Sequence, residues 1–320
     1  MEKAFDVVAL GELLIDFTEH GQSEQGNPLW EANPGGAPCN VLAMLNKLDR
    51  RTAFIGKVGN DVYGRQLIET VTSAGIDASA LLVDPQVHTT LAVVHTFENG
   101  DRDFSFYRNP GADMMLTAND LPMSMLQDCR IFHFGTLSMT HEGVREATVQ
   151  AVQYAKACGA LISFDPNLRP PLWDRLDRAK ACIEWGLAHA DVVKIADNEL
   201  LFMTGESDFD KGAAILKRQF PNIRLLNVTA GPDGSYSYYG DLRVYVPAFL
   251  LGGTIETTGA GDTFCACVLH DVLTNGLDDR SEDSLCSMLR FANAAAYLVT
   301  TKKGAIRSMP TLPEVQAISS

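Results

Sequence analysis

The run Glu256-Thr-Thr-Gly-Ala-Gly-Asp262 places small residues and an acid directly ahead of a helix-forming stretch at 263–273. Backbone N–H groups at such a helix start lack intrahelical acceptors, and the helix dipole makes them attractive to an anion. A carboxylate there is costly if the site only binds an anion, because like charges repel. It is useful if Asp262 takes a proton from a hydroxyl that attacks a bound phosphoryl group. An acid in a first helical turn is also ordinary helix-start chemistry, so the run alone leaves both readings open. A second run, Asn33-Pro-Gly-Gly-Ala-Pro-Cys-Asn40, opens another helix, with Gly56-Lys-Val-Gly-Asn-Asp61 and Gly64 beyond the next strand. Its glycines allow a ligand to approach the backbone, and Asn40 offers hydroxyls both a donor and an acceptor. A tight strand-to-helix turn would account for it equally.

Turns of this kind need a rigid frame. Short β-branched or apolar runs at 7–10, 53–58, 131–134, 161–164, 192–195 and 225–228 read as strands. Between them, at 40–48, 65–74, 143–157, 175–188 and 213–219, apolar residues return every three or four positions, as on a helix face. The alternation predicts an α/β fold of three layers, α/β/α, with a mostly parallel central sheet. Segments 12–33 and 88–108 break the rhythm and read as strands with turn signals at Gly21, Gly26 and Asn99-Gly100. They predict a small β-sheet projecting as a lid over a cleft. With no repeat or linker to divide it, the chain 1–320 is read as one domain carrying that lid. Exposed lid strands favour a partner, which predicts a homodimer.

The 26 basic and 40 acidic residues give a net charge of −14, which disfavours nucleic acid and anionic membranes as partners. No stretch reaches the roughly 18 consecutive apolar residues of a spanning helix. Met1-Glu2-Lys3 leads directly into a strand without an export segment, so a cytoplasmic location is expected. The seven scattered cysteines read as buried free thiols rather than metal ligands or disulfides.

Gly35-Gly36-Ala37-Pro38-Cys39-Asn40 and Thr257-Thr258-Gly259-Ala260-Gly261-Asp262 resemble the two signatures of the ribokinase-like (PfkB-type) carbohydrate kinases, in the family's order and about 220 residues apart. The resemblance runs from Val8-Ala-Leu-Gly-Glu12 to Lys303-Gly304-Ala305. Ser163-Phe-Asp-Pro-Asn-Leu-Arg169, Leu172-Trp173 and Phe106-Tyr-Arg-Asn-Pro-Gly-Ala-Asp113 are most similar to fructokinases. The resemblance implies ATP-dependent phosphorylation of a sugar hydroxyl, fructose to fructose 6-phosphate being the favoured case. It implies that Asp16, Gly35, Gly36 and Asn40 hold the sugar, with Arg108 reaching down from the lid and Arg169 near the site. Asp262 then faces the reacting hydroxyl as general base, and Gly259, Ala260 and Gly261 form the anion hole. ATP would lie across Lys194, Thr229-Ala-Gly231, Gly234 and Asn293, and Glu199 would position Mg²⁺ through water. Two residues depart from the family pattern. Glu256 stands where relatives carry Asp in a K⁺ site, here expected on Glu256, Thr258 and the Gly304 loop. Ala196 replaces an Asn or Ser, removing a contact worth about 0.5–1.5 kcal/mol.

Kinases of 2-keto-3-deoxygluconate, ribose or nucleosides would share both signatures. Of other classes, a dinucleotide oxidoreductase lacks its Gly-x-Gly-x-x-Gly after the first strand, and no Gly-x-x-x-x-Gly-Lys-Ser/Thr marks a P-loop. A non-catalytic sugar-binding protein would have no need of Asp262 behind an anion hole. Taken singly, Glu12 and Asp16 read as exposed strand residues, Arg108 and Arg169 as surface charges, 229–235 as a hairpin turn, and His133 and His141 as structural.

Overall fold

The computed structural model describes residues 3–96 and 102–319, without the side chains of 95, 96 and 102–104; the Asn99-Gly100 turn lies outside the described residues. The chain begins with β1 (Phe5–Leu10), β2 (Leu14–Gln22), β3 (Pro28–Gly35), α1 (Ala37–Lys47), β4 (Thr52–Gly59), α2 (Val62–Ser73), β5 (Asp77–Asp84), β6 (Leu91–Thr96) and β7 (Arg102–Tyr107). It continues through α3 (Met123–Gln127), β8 (Cys129–Phe134), α4 (Glu142–Ala157), β9 (Leu161–Phe164), α5 (Leu176–His189), β10 (Val192–Ala196), α6 (Asp197–Thr204) and α7 (Phe209–Gln219). It ends with β11 (Leu225–Thr229), β12 (Ser235–Tyr239), β13 (Leu242–Val246), α8 (Ala260–Asn275), α9 (Glu282–Thr300) and α10 (Leu312–Ser319).

Nine strands form the central sheet in the order β13-β12-β11-β10-β9-β8-β1-β4-β5. Every pairing from β11 across to β5 is parallel, and β12 and β13 close one edge antiparallel. Parallel strands buried on both faces have to be apolar throughout, as β1 is. Its Val7 and Ala9 belong to one core, shared with Leu42 of α1, Phe264 of α8 and Leu289 of α9, while Val8 and Leu10 belong to the core on the other face, shared with Ala147 of α4, Ile183 of α5 and Leu216 of α7. The sheet with its two helix layers is the ribokinase-like α/β/α arrangement.

All six expected strands fall within β1, β4, β8, β9, β10 and β11, and the expected helices within a few residues of α1, α2, α4, α5, α7 and α8. β5, β12, β13, α3, α6, α9 and α10 add to that list. The antiparallel edge was the least readable, because β12 alternates Ser and Tyr rather than presenting an apolar run.

A second sheet, β3-β2-β6-β7, stands over one end of the first. Gly21 and Gly26, at φ of 84° and 78°, flank the β2–β3 turn expected from them. The period of two puts Leu14, Asp16, Val94 and Phe106 on the face toward the cleft. On the opposite face, Phe17 meets Tyr63 of α2 edge-to-face at 5.5 Å. All seven cysteines are free, although Cys158 is only half-buried and Cys286 is exposed. No described helix is long and apolar enough to cross a membrane.

Candidate active site

Parallel strands place their C-terminal ends on one edge of a sheet, where ligand clefts form. Here β1 runs on to Glu12, β9 to Asp165 and β10 to Ala196, and the start of α8 closes the far wall. Between them lies a cavity of about 290 Å³, lined in part by Asp16, Gly36, Asn40, Arg169, Lys194, Glu199, Gly261 and Asp262. The two glycine-rich runs meet inside it: Asn40 Nδ2 donates to Asp262 Oδ2 at 2.7 Å, across 222 residues of chain. Asn40 Oδ1 is buried without a partner among the described residues, leaving an acceptor for a hydroxyl.

Each half of this contact has its own support. Gly36 is the N-cap of α1 at φ 130°, and a Cβ there would run into the Glu12 carbonyl. Glu12 Oε1 accepts the Ala37 N–H at 2.9 Å, which fixes the first turn of α1 and, three residues on, Asn40. Glu12 is 3% exposed, contrary to its reading as an exposed strand residue, and burial pushes its carboxyl up to about 7. A Cβ on Gly35 would collide with the Asp16 carboxylate, so the glycine makes room for that acid. Asp16 is half-buried in the cleft and not exposed; burial pushes it up to about 7, with Glu256 and Asp262 adding to the shift and Arg169 opposing it.

On the opposite wall Gly259, at φ 80°, is the N-cap of α8. The Ala260 N–H turns back to the Thr257 carbonyl at 3.3 Å, and the Thr263 N–H begins the helical ladder on the Gly259 carbonyl. Of the expected Gly259–Gly261 set, the Ala260 N–H is thus turned toward Thr257, while the amides of Gly261 and Asp262 follow it in the first turn. Burial raises the Asp262 carboxyl above its ordinary range, opposed by the Asn40 bond and by Lys194 and Arg169. Behind it, Lys194 Nζ lies 3.1 Å from Asp165 Oδ2. Burial alone would lower Lys194, but Asp165, Glu199 and Asp262 outweigh it and hold the ammonium protonated. Glu199 lines the cleft with both oxygens engaged, accepting the Leu168 N–H at 2.7 Å and the Ala196 N–H at 2.8 Å. Arg169 is at the exposed rim, where it influences both Asp16 and Asp262.

Arg108 departs from its expected place. Its guanidinium is buried against Asp113 at 2.6 Å and also donates to the Leu137 carbonyl and Thr140 Oγ1, so it braces the base of the lid instead of reaching into the cleft. A second cavity of about 400 Å³ opens beside the first, sharing Thr257 with it and lined by Gly231, Pro232, Phe249, Leu250, Asn293 and Tyr297 among others. Of the residues expected under the nucleotide, Gly231 and Asn293 line this cavity; Thr229 and Gly234 line neither. Gly234 is needed for the β11–β12 turn, since a Cβ there would meet the Val246 carbonyl. The Asn293 amide is spent on the Val246 and Pro247 carbonyls and on Ser235 Oγ, tying β12 and β13 to α9.

Glu256, Thr258 and Gly304 do come together: the Glu256 carboxylate accepts from Thr258 Oγ1 and, at 3.2 Å, from the Gly304 N–H. His133 is buried on Ser163 Oγ at 2.9 Å and pushed down to about 3 by burial, hence neutral. Sequence reasoning gave Glu12 and Asp165 no function. Each is a lone acid after a strand, and only burial and partners single them out.

The pfkB family carbohydrate kinase pattern matches residues 4–312. The chain is 39% identical over 317 residues to fructokinase-2 of Oryza sativa subsp. japonica, covering 98% of this chain and 94% of that one. The fructokinase of Xylella fastidiosa with bound ATP superposes at a TM-score of 0.89 and 30% identity, over 98% of this chain and 97% of the other. That of Vibrio cholerae O395, in a fructose-, ADP- and calcium-bound form, superposes at 0.87 and 30% identity, over 99% and 100%. Fold, paired signatures and relatives agree, and the chain belongs to the pfkB family of carbohydrate kinases.

Proposed function

We propose that this kinase transfers the γ-phosphoryl group of ATP to fructose, giving fructose 6-phosphate. The observation that carries the reading is the 2.7 Å bond from Asn40 to Asp262, which joins a hydroxyl-binding turn to a helix start suited to phosphate in one cavity. Asp16 and Asn40 Oδ1 accept from sugar hydroxyls on one wall. Asp262 takes the proton of the attacking hydroxyl as its oxygen bonds to phosphorus, and the amides of Gly261 and Asp262 face the charge that develops.

The neighbouring cavity suits the nucleotide base, being mostly apolar and continuous at Thr257 with the cleft, so that the phosphates run toward α8. Glu199 would hold Mg²⁺ through water, because its two oxygens already accept N–H groups; the ion would offset phosphate charge. Glu256, Thr258 and the Gly304 loop fit a K⁺ ion, for which a carboxylate, a hydroxyl and nearby carbonyls are suitable oxygens. The sequence similarity to fructokinases supports fructose over other sugars.

A coupled ADP-release assay against fructose, 2-keto-3-deoxygluconate, ribose and adenosine tests this. Fructose should have the highest kcat/KM by at least about tenfold, the order of discrimination a shaped pocket supplies. Preference for another acceptor, or no turnover of any, would reject the assignment.

A further inference from the structure

The Lys194 ammonium lies almost evenly between the two oxygens of Asp165, at 3.1 and 3.3 Å, with Lys194 8% and Asp165 2% exposed. Both sit on rigid elements: Phe164 of β9 pairs with Val193 of β10, so the next residues on each strand are neighbours. On its other side, Nζ lies 3.0 Å from where a Cβ on Gly261 would stand. The ammonium therefore rests on the start of α8 itself.

A buried ion pair is a poor way to gain stability, because desolvating two charges offsets most of their attraction. Its usual return is a fixed position. Position matters here, because Asp262 is another anion within electrostatic reach of the same ammonium. Resting on Asp262, Lys194 would mask the base. Resting on Asp165, it leaves the base free and stays beside the helix amides.

Building on the kinase reading above, we propose that Asp165 is a positioning residue: it holds the Lys194 ammonium at the start of α8, where Lys194 takes up charge on the phosphoryl group in transit, and keeps it off Asp262. In that step the sugar hydroxyl gives its proton to Asp262, its oxygen forms the new O–P bond, and the bond from phosphorus to the departing diphosphate breaks. Lys194 and Asp165 change no bonds. The other titratable groups that influence Lys194 or Asp262 are Glu199, Arg169, Asp16, His133 and Cys265. None of these is paired with Lys194 as Asp165 is.

The test compares wild type, Asp165→Asn, Lys194→Met and the double variant in fructose-dependent ADP release. Lys194→Met should lower kcat by about 100-fold or more, as loss of a charge-stabilising donor does. Asp165→Asn should lower kcat by about 10- to 100-fold with fructose KM within about threefold, the pattern of a loss felt only in the transition state. Because Asp165 acts through Lys194, the double variant should be within about threefold of Lys194→Met. Wild-type kcat in Asp165→Asn, or losses that multiply in the double variant, would overturn the assignment. If Asp165→Asn fails to fold, Asp165→Glu keeps the charge and displaces it by one methylene; it should also lose kcat, and wild-type kcat there overturns the proposal equally. A wild-type protein inert toward every sugar would sink the kinase reading, and this one with it.

Discussion

Replacing Asp262 with Asn keeps the side chain's shape while removing its charge and its ability to accept a proton. The amide oxygen can still accept from Asn40 Nδ2, now 2.7 Å from the carboxylate, so the two walls of the cleft should stay joined. Loss of a general base costs about 10²- to 10⁴-fold, or roughly 3 to 5 kcal/mol on the barrier. Turning the Asn40 contact from a charge-assisted bond into a neutral one removes about 1 kcal/mol more, a further factor of about five. A fall in kcat of about 500-fold or more is therefore expected. Fructose KM should stay within about threefold, because Asp16 and Asn40 Oδ1 still receive the sugar. Acidity supplies a second readout. Burial raises Asp262 above the ordinary value of about 4, and the active form is the ionised one, so wild-type kcat should fall with pH at a point above the usual carboxylate range. The residual rate of the variant should lack that fall. Steady-state kinetics by coupled ADP release from pH 5 to 8, with circular dichroism to verify folding, measures both. A variant within tenfold of wild-type kcat, or a loss confined to KM, would remove Asp262 from the role of base.

Gly261→Val puts a branched side chain where a Cβ already comes within 3.0 Å of Lys194 Nζ, and kcat should drop by at least about 100-fold without loss of the fold; a fully active variant would mean that phosphate does not reach this helix start. Glu12 and Asp16 are both pushed up to about 7 by burial, against about 4 in the unfolded chain. The folded state then binds protons more tightly between these values and loses stability as pH rises through them, so the unfolding midpoint of the ligand-free protein should rise from pH 8 to pH 6. A calorimetric midpoint that is flat or falls over that interval contradicts the burial of these acids. Because Glu12 and Asp16 line the acceptor side of the cleft, fructose 1-phosphate, whose C6 hydroxyl is still free, should be a poorer acceptor than fructose by about 100-fold or more in kcat/KM; equal use of both would refute that reading of the acids.

Much of the fold was legible because burial on both faces leaves a parallel strand no choice but continuous apolar residues, as in Val7 to Leu10. Ser235 and Ser237 defeated the same reading: both are fully buried, and Ser235 is satisfied by Asn293 of α9, a partner invisible from strand composition. At the site, the glycine-rich runs were legible because a helix start that must admit a ligand restricts residue type at fixed spacing. Glu12 and Asp165 were not, since one carboxylate after a strand has no spacing to betray it. Arg108 was misplaced for a related reason. Its charge suggested a ligand, whereas its partner Asp113 lies five residues on, and only the folded lid brings both against Thr140.

The net charge of −14 disfavours extended phosphate backbones, yet the cleft is assigned to phosphoryl transfer. The two statements operate at different ranges. A net charge acts over a Debye length of about 10 Å and is screened by salt, whereas a buried site is governed by the few groups in contact with the ligand. Around α8 those groups are the Gly261 and Asp262 amides and the Lys194 ammonium, on the same wall as the base. Glu12 and Asp16 lie across the cleft, where a neutral sugar needs acceptors and offers no charge to repel, while Asp165 and Glu199 beside Lys194 are already engaged by the ammonium or by backbone N–H groups. The division of one cavity into a donor wall and an acceptor wall lets a strongly acidic protein handle phosphate, and it relies on Lys194 remaining with Asp165.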